Sequence, residues 1–350
     1  MMLSFTEFIG KMIENPIMLV TVLLALGVVL VNGWTDAPNA IATAVSTRCI
    51  GVRPAILLAA VMNFLGVVVM TMFNSTVAQT IYNMVDLSGD AHKALVALCA
   101  GMFAIVLWST AAWYFGIPTS ESHALIAGLT GAAIALQGGL DGVNGGEWIK
   151  VVYGIFLSTL MGFGLGYVVT KIIQYLFRNV NRRKGERFFQ YGEIVASSGM
   201  AFMHGAQDGQ KFIGVFLFGI FLSQGVSDAT TFEIPFWVML LISLVISFGT
   251  SIGGYRIIKS VGMDMVKLSK HEAFAADFTG MFSLLVSSLF GLPVSTTHTK
   301  TTAIMGVGAS KRISNVNWNV VKDMVYAWVL TFPGCGIIGY LMAKLFFVLF

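Results

Sequence analysis

Residues 33–44 read GWTDAPNAIATA, and they place Asp36 and Asn39 beside Pro38 at the end of an apolar run. A proline removes a backbone donor and disfavours helix at the preceding residue, so carbonyl groups near Asp36 are released from helical bonding. A carboxylate, an amide oxygen and free carbonyls suit a monovalent cation such as Na⁺, or else a carboxyl group that carries a proton. The alternative is that Asp36 only caps a short helix that begins at Pro38.

A weaker copy of this pattern lies at residues 204–216, HGAQDGQKFIGVF, where Asp208 falls on Asp36 at an offset of 172. An aspartate inside a membrane segment is costly, and its presence in both copies favours an ion site over a cap. The predicted Na⁺ ligands are Asp36, Asn39, Thr43 and Asp208.

A second duplicated motif has a proline followed by a serine and a histidine. Residues 116–132, GIPTSESHALIAGLTGA, align with residues 291–307, GLPVSTTHTKTTAIMGV, at an offset of 175, so that Pro118 falls on Pro293. Each copy is typical of a helix start, where free N–H groups and the positive end of the helix dipole attract an anion. Two such ends that face each other would suit a small tetrahedral oxyanion, although the hydroxyl groups could also serve only as caps. The predicted anion ligands are Thr119, Ser120, Ser122, Gln207, Ser295, Thr296 and Thr297.

Other ionisable residues near these motifs are weaker candidates. Lys211 is expected either to pair with Asp208 or to contact the anion, and Asp277 to reach Lys300 or a cation. The histidines are expected to orient polar groups or simply to pack. These weaker candidates are Glu121, His123, His204, Lys211, Asp277 and His298.

The composition places these motifs in a membrane protein. Hydrophobic residues make up 56% of the chain and charged residues 11%, and the mean hydropathy is +0.81. A soluble domain carries roughly a quarter charged residues. Six apolar stretches are long enough to cross, or nearly cross, a bilayer: 17–32, 53–73, 94–116, 148–176, 235–253 and 324–350. The net charge is only +4, and the charged residues lie mostly in loops, so the charge gives no support for nucleic-acid binding.

The charged loops predict the orientation of the chain. Basic residues gather at 48–53, 178–187, 256–270 and 311–322, which the positive-inside rule places in the cytoplasm. Acidic or neutral loops at 74–92, 138–147 and 224–234 are then external. Each half makes five crossings, an odd number, so the second half enters the membrane from the opposite side and both termini lie outside. The predicted crossings are 17–47, 53–73, 94–116, 118–137 and 148–177, then 191–222, 235–256, 272–291, 293–310 and 320–350.

We therefore predict an all-α polytopic membrane protein with roughly 10–12 transmembrane elements, some of them broken or re-entrant. Residues 1–177 and 191–350 are expected to form two inverted-topology repeats, joined by a basic cytoplasmic linker at 178–190. Inverted repeats with interrupted helices are typical of secondary transporters, whose binding site lies near the midplane of the membrane.

The duplicated motifs resemble those of the inorganic phosphate transporter (PiT) family, whose members move inorganic phosphate with Na⁺ or H⁺ through an inverted-repeat fold. The pattern of an aspartate with a following Asn-Ala is met by Asp36, Asn39 and Ala40. The second copy, His-Gly-x-Asn-Asp, is met at 204–208, except that Gln207 replaces the usual asparagine. Both Pro-x-Ser-x-x-His copies match, with Glu121 where the family commonly has threonine.

The resemblance implies a secondary-active symporter of inorganic phosphate with alternating access around a midplane site. Bacterial members commonly carry a histidine before the first aspartate, and Thr35 in its place favours a Na⁺ gradient over a proton gradient. A proton-coupled transporter of phosphate or sulfate, or an anion channel, stays open as an alternative. An enzyme is not expected, because the duplication leaves no unique Ser-His-Asp set. Na⁺ is expected as a co-transported ion and no resident cofactor; the chain would lie in the cell membrane among lipid, and a homodimer is left open.

Overall fold

The computed structural model describes residues 4–87, 89–116, 119–225 and 233–350. These parts form fourteen α-helices and no strand, so the all-α prediction is confirmed for them. The first seven are α1 (Phe5–Glu14), α2 (Pro16–Thr35), α3 (Ala42–Ser46), α4 (Val52–Phe73), α5 (Thr76–Tyr82), α6 (Ala91–Phe115) and α7 (Glu121–Gln137). The others are α8 (Gly145–Leu176), α9 (Arg182–Ser223), α10 (Phe236–Ile252), α11 (Tyr255–Lys259), α12 (Lys270–Leu289), α13 (Thr296–Lys311) and α14 (Trp318–Leu349). Pro118 and residues 226–232 of the predicted loop 224–234 lie outside the described residues.

The apolar stretches of the sequence correspond to long helices. Among the described residues, five segments are long and apolar enough to cross a membrane: Pro16–Ser46, Val52–Phe73, Ala91–Phe115, Gly145–Leu176 and Trp318–Leu349. A sixth segment is a pair, Phe236–Ile252 and Tyr255–Asp264, bent by 67° at a short break. All six predicted apolar stretches are found among these segments. By contrast, α7 and α13 are each about 25 Å long, a little less than the ~30 Å hydrocarbon thickness of a bilayer.

The two aspartate motifs differ in backbone structure. The first is interrupted as expected: α2 ends at Thr35, a 3₁₀ turn covers Ala37–Ile41, and α3 follows. The second lies inside the unbroken α9, so the weaker copy of the pattern does not interrupt its helix. The physical reason is that residues 204–211 contain no proline, and a continuous helix therefore satisfies every backbone donor there.

Glycines at corresponding positions bring helices of the two halves together. A Cβ at Gly33 on α2 would lie 2.5 Å from the carbonyl oxygen of Ile246 on α10, and one at Gly205 on α9 would lie 2.3 Å from that of Asn63 on α4. Gly33 and Gly205 are related by the offset of 172. Only glycine permits this backbone approach, and it occurs at the same place in both halves.

Two inner helices, α7 of the first half and α13 of the second, are exchanged between the halves: each packs mainly against a helix of the other half. α7 packs most extensively on α14, and α13 packs most extensively on α8. A Cβ at Gly131 would lie 2.0 Å from the carbonyl oxygen of Gly336, and one at Gly306 would lie 2.0 Å from that of Phe163. The two halves thus interlock around α7 and α13, which are buried over almost their whole length.

Candidate functional site

The two Pro-x-Ser motifs begin the buried helices α7 and α13, and these helix starts meet. The imidazole rings of His123 and His298, in the first turn of each helix, lie with their centroids 4.5 Å apart. The Ser120 hydroxyl accepts a hydrogen bond from the His123 backbone N–H at 3.3 Å, and the Ser295 hydroxyl accepts one from the His298 N–H at 3.1 Å. Both serines therefore act as caps in this structure, while the following hydroxyl groups point to the aspartates.

Asp36 lies beside the start of α13. Its Oδ1 accepts a hydrogen bond from the Thr297 hydroxyl at 2.7 Å, and the Asn39 amide donates to both Thr297 Oγ1 (3.0 Å) and Asp36 Oδ1 (3.4 Å). Asp36 and Asn39 are each only 3% exposed. Within the described chain, Asp36 Oδ2 and Asn39 Oδ1 are buried and make no hydrogen bond. Both oxygens have the chemistry to act as ligands for a cation.

Asp208 lies beside the starts of both α7 and α13. Its Oδ1 faces the Lys211 ammonium at 2.7 Å and the Ser122 hydroxyl at 3.4 Å. Its Oδ2 accepts from the Asn32 amide at 3.2 Å and from the Thr296 hydroxyl at 3.3 Å. Both oxygens of this carboxylate are engaged, unlike those of Asp36. The sequence-based pairing of Lys211 with Asp208 is thus present in the structure.

His204 lies near both aspartates. Its Nε2 lies 3.3 Å from Asp208 Oδ2, and its Nδ1 is 2.9 Å from Asn63 Oδ1 on α4. One ligand atom from each of Asp36, His204 and Asp208 lies within 4.8 Å of the others. Two carboxylates and an imidazole at this spacing could hold a cation between them.

Glu121 and Thr119 complete the group next to Asp36. The Thr35 hydroxyl donates to Glu121 Oε2 at 3.2 Å, while Oε1 makes no hydrogen bond with the part of the chain that is described. Thr35, Asp36, Thr119 and Glu121 line a cavity of about 10 Å³. That is room for about one water-sized body. The centre therefore collects three carboxyl groups, those of Asp36, Glu121 and Asp208, against the one ammonium of Lys211.

Thr43 and Asp277 belong to a different arrangement, which we call the charged cluster and define as Thr43, Glu193, Asp277 and Lys300. The Lys300 ammonium contacts Asp277 Oδ1 and donates to the Thr43 hydroxyl, and Thr43 donates to Asp277 Oδ1 at 2.8 Å. The Glu193 carboxyl, with neither oxygen hydrogen-bonded in the described chain, experiences the charge of Lys300. Thr43 hydrogen-bonds within this cluster, and the predicted contact of Asp277 with Lys300 is present.

Three further candidates take part in packing or in other hydrogen bonds. The amide of Gln207 donates to Ser288 Oγ at 2.9 Å and to the Leu292 carbonyl at 3.3 Å. The His123 ring stacks on the Phe332 ring with their centroids 4.7 Å apart, and the ring centroids of His298 and Trp328 are 3.8 Å apart. Neither imidazole makes a hydrogen bond to the described residues. In this conformation the two histidines pack against aromatic rings and against each other.

Sequence reasoning missed Asn32, Asn63 and Glu193. Asn32 and Asn63 are fully buried on otherwise apolar helices, and both bond to the group around Asp208. Glu193 is buried in α9, just inside the predicted crossing 191–222 and next to the basic linker. A polar residue within an apolar helix is itself a signal of a site, and that signal was available for the two asparagines.

Comparisons of sequence and of structure find proteins that are similar over most of this chain. The family described as the phosphate transporter family matches residues 32–339. A probable low-affinity inorganic phosphate transporter of Bacillus subtilis is 36% identical, over 93% of this chain and 97% of that protein. One of Rhizobium meliloti is 34% identical, over 93% of this chain and 95% of that protein. A solved structure titled the sodium-dependent phosphate transporter superposes with a TM-score of 0.88 at 25% identity, covering 96% of this chain and 100% of that one.

Proposed function

This chain belongs to the phosphate transporter family, and we propose that it carries inorganic phosphate across the membrane together with Na⁺, driven by the Na⁺ gradient. The observation that carries the proposal is the pair of buried oxygens, Asp36 Oδ2 and Asn39 Oδ1, that make no hydrogen bond within the described chain. Buried polar atoms without a partner are costly, which supports a bound cation at this place.

Oxygen donors favour Na⁺ over a proton at Asp36. The residue before Asp36 is Thr35, which carries a hydroxyl group in place of a titratable imidazole. This hydroxyl donates to the Val31 carbonyl oxygen at 2.9 Å and to Glu121. The structural relative with the same fold is titled as sodium-dependent. The second candidate is proton coupling, which the His204–Asp208 contact at 3.3 Å favours, because an imidazole beside a carboxylate can pass a proton to it.

Phosphate would bind where the starts of α7 and α13 face each other. Both helices present their first backbone N–H groups there, and such ends attract anions. The hydroxyl groups of Thr119, Ser122, Thr296 and Thr297 surround the same region and can donate to phosphate oxygens. In this structure the hydroxyls of Ser122, Thr296 and Thr297 donate to the aspartates, and they would turn to phosphate once cations engage the carboxylates.

The charges of the centre explain why phosphate and cation would move together. Asp36, Glu121 and Asp208 face a single ammonium, that of Lys211, and all four side chains are buried. An anion entering this group adds negative charge at low dielectric, where repulsion is strong. Cations that bind beside the carboxylates remove that repulsion, so each ligand raises the affinity for the other.

The interlocked halves suit alternating access. The proposed repeats, 1–177 and 191–350, would have inverted topology, with the 178–190 linker in the cytoplasm and both termini outside. The site lies at the starts of α7 and α13, and each of these helices packs against a helix of the other half. Rocking of one repeat against the other would expose it to each side of the membrane in turn.

The test is uptake of radiolabelled phosphate into proteoliposomes, with Na⁺ and proton gradients imposed separately. We expect the Na⁺ gradient to drive accumulation and an equal proton gradient without Na⁺ to fail. Accumulation with protons alone would contradict Na⁺ coupling, and equilibration without any gradient would indicate a channel. Competition by sulfate at concentrations equal to phosphate would contradict phosphate selectivity.

A further inference from the structure

Two groups of three residues at the centre are related by the internal repeat. We call them the first triad (Asp36, Asn39 and Thr297) and the second triad (Asp208, Lys211 and Ser122). Asp36 and Asn39 correspond to Asp208 and Lys211 at the offset of 172, and Ser122 corresponds to Thr297 at the offset of 175. In each triad an aspartate of one half meets a hydroxyl of the other half.

The triads differ in their third member, which is the amide of Asn39 in the first and the ammonium of Lys211 in the second. The Lys211 nitrogen lies 2.7 Å from Asp208 Oδ1, 2.6 Å from Ser122 Oγ and 2.6 Å from the Val294 carbonyl oxygen. A carboxylate, a hydroxyl and a carbonyl oxygen make up the kind of ligand set that a monovalent cation takes. In the second triad the positive charge is therefore part of the protein.

The first triad has the same acidic and hydroxyl members without a protein cation. Asp36 Oδ2 and Asn39 Oδ1 are buried and make no hydrogen bond to the described residues. Thr119, which corresponds to Val294 at the offset of 175, lines the small cavity beside Asp36. The first triad thus has oxygen atoms without a partner and a small space beside them. At the corresponding place in the second triad, the lysine ammonium occupies the space and contacts the oxygens.

We propose that Lys211 is a tethered cation that fills the second of two repeat-related cation sites, so that this protein binds one Na⁺ fewer than its Lys211→Asn variant. The inference rests on the proposed function only for the use of Na⁺ in transport. The charge of the second site then stays with the protein throughout the cycle. With one coupled ion fewer, the limiting phosphate accumulation is lower by about tenfold for each tenfold Na⁺ gradient.

The hydrogen bonds of Lys211 argue against a direct role in binding the anion. An ammonium group has three N–H donors. All three have acceptors here, namely Asp208, Ser122 and Val294. A phosphate oxygen could be bound by Lys211 only after one of these three contacts is broken.

The experiment counts ²²Na⁺ bound at saturation by the purified protein in nanodiscs. Lys211→Asn is expected to bind one more Na⁺ per chain than the wild type. The reverse change in the first triad, Asn39→Lys, is expected to bind one fewer, because a lysine then fills that site. Lys267→Asn, a change at an exposed lysine, is the matched control and should leave the count unchanged.

An unchanged Na⁺ count in Lys211→Asn overturns the inference, as does a weaker phosphate affinity with the same Na⁺ count, which would make Lys211 an anion ligand. If Lys211→Asn does not fold, Asn39→Lys decides: retention of the full wild-type count contradicts the equivalence of the triads. A wild type that binds no Na⁺ at all would instead contradict the proposed function. In proteoliposomes the ratio of ²²Na⁺ to phosphate flux should rise by one in Lys211→Asn.

Discussion

Asp36→Asn tests the cation site with the smallest change of shape. The substitution removes one negative charge and leaves an amide oxygen that can still accept from Thr297, now at 2.7 Å from the carboxylate. Two unit charges about 4 Å apart interact by about 4 kcal/mol at an effective dielectric constant of about 20. Since about 1.4 kcal/mol is a tenfold change in affinity, we expect Na⁺ to bind about 10³-fold more weakly.

The assay is phosphate uptake into proteoliposomes over a range of external Na⁺ concentrations. Asp36→Asn should show no Na⁺-driven uptake at concentrations that saturate the wild type. Asp141→Asn, the same change at an exposed aspartate in the loop before α8, is the matched control and should transport normally. The melting temperature of each variant in detergent is measured as well, and an unchanged value shows that the loss of uptake is not caused by unfolding.

Retention of full uptake by Asp36→Asn, with an unchanged Na⁺ concentration at half-maximal rate, would refute the reasoning. In that case Asp36 would serve the backbone break and not the ion. A reduced maximal rate with unchanged Na⁺ dependence would also count against the site, because the predicted effect lies in cation affinity.

Three further predictions concern stability and are measured as melting temperatures in detergent. Lys300→Met leaves two buried carboxyl groups of the charged cluster without a cation and should destabilise the protein by about 3–5 kcal/mol, whereas Lys267→Met at the surface should not; equal melting temperatures would contradict this. Gly306→Ala places a Cβ 2.0 Å from a backbone oxygen of α8 and should cost at least about 1–3 kcal/mol, while Gly164→Ala, with nothing within 4 Å, should be tolerated. Ser295→Ala removes the cap of α13 and should cost about 1 kcal/mol, and Ser295→Thr should restore most of it; a harmless alanine would show that the cap is dispensable.

The membrane class and the positions of the six apolar spans followed from the sequence, because hydropathy over about 20 residues is a local property. The duplication was equally visible, since two motifs recur in the same order at offsets of 172 and 175. These features also pointed to Asp36, Asp208 and the residues after each Pro-x-Ser, which meet at the centre of the fold. Local chemistry thus indicated residues that the fold brings close together.

Local pattern did not show contacts that depend on the surrounding helices. The motif around Asp208 resembles that around Asp36, yet α9 runs through it without a break, because only the first copy contains a proline. Thr43 follows the first motif but bonds to Asp277, 234 residues away. Glu193 is buried and experiences the charge of Lys300, 107 residues later in the chain.

The tertiary structure alone decided which members of the duplicated motifs touch. The Thr297 hydroxyl donates to Asp36 across 261 residues, and the Ser122 hydroxyl donates to Asp208 across 86. A repeat shows which positions are equivalent, but the exchange of α7 and α13 between the halves sets which of them become neighbours. That exchange places Lys211 among three oxygens and leaves its counterpart Asn39 beside unpaired ones, because a hydrogen bond depends on where the acceptors lie in space.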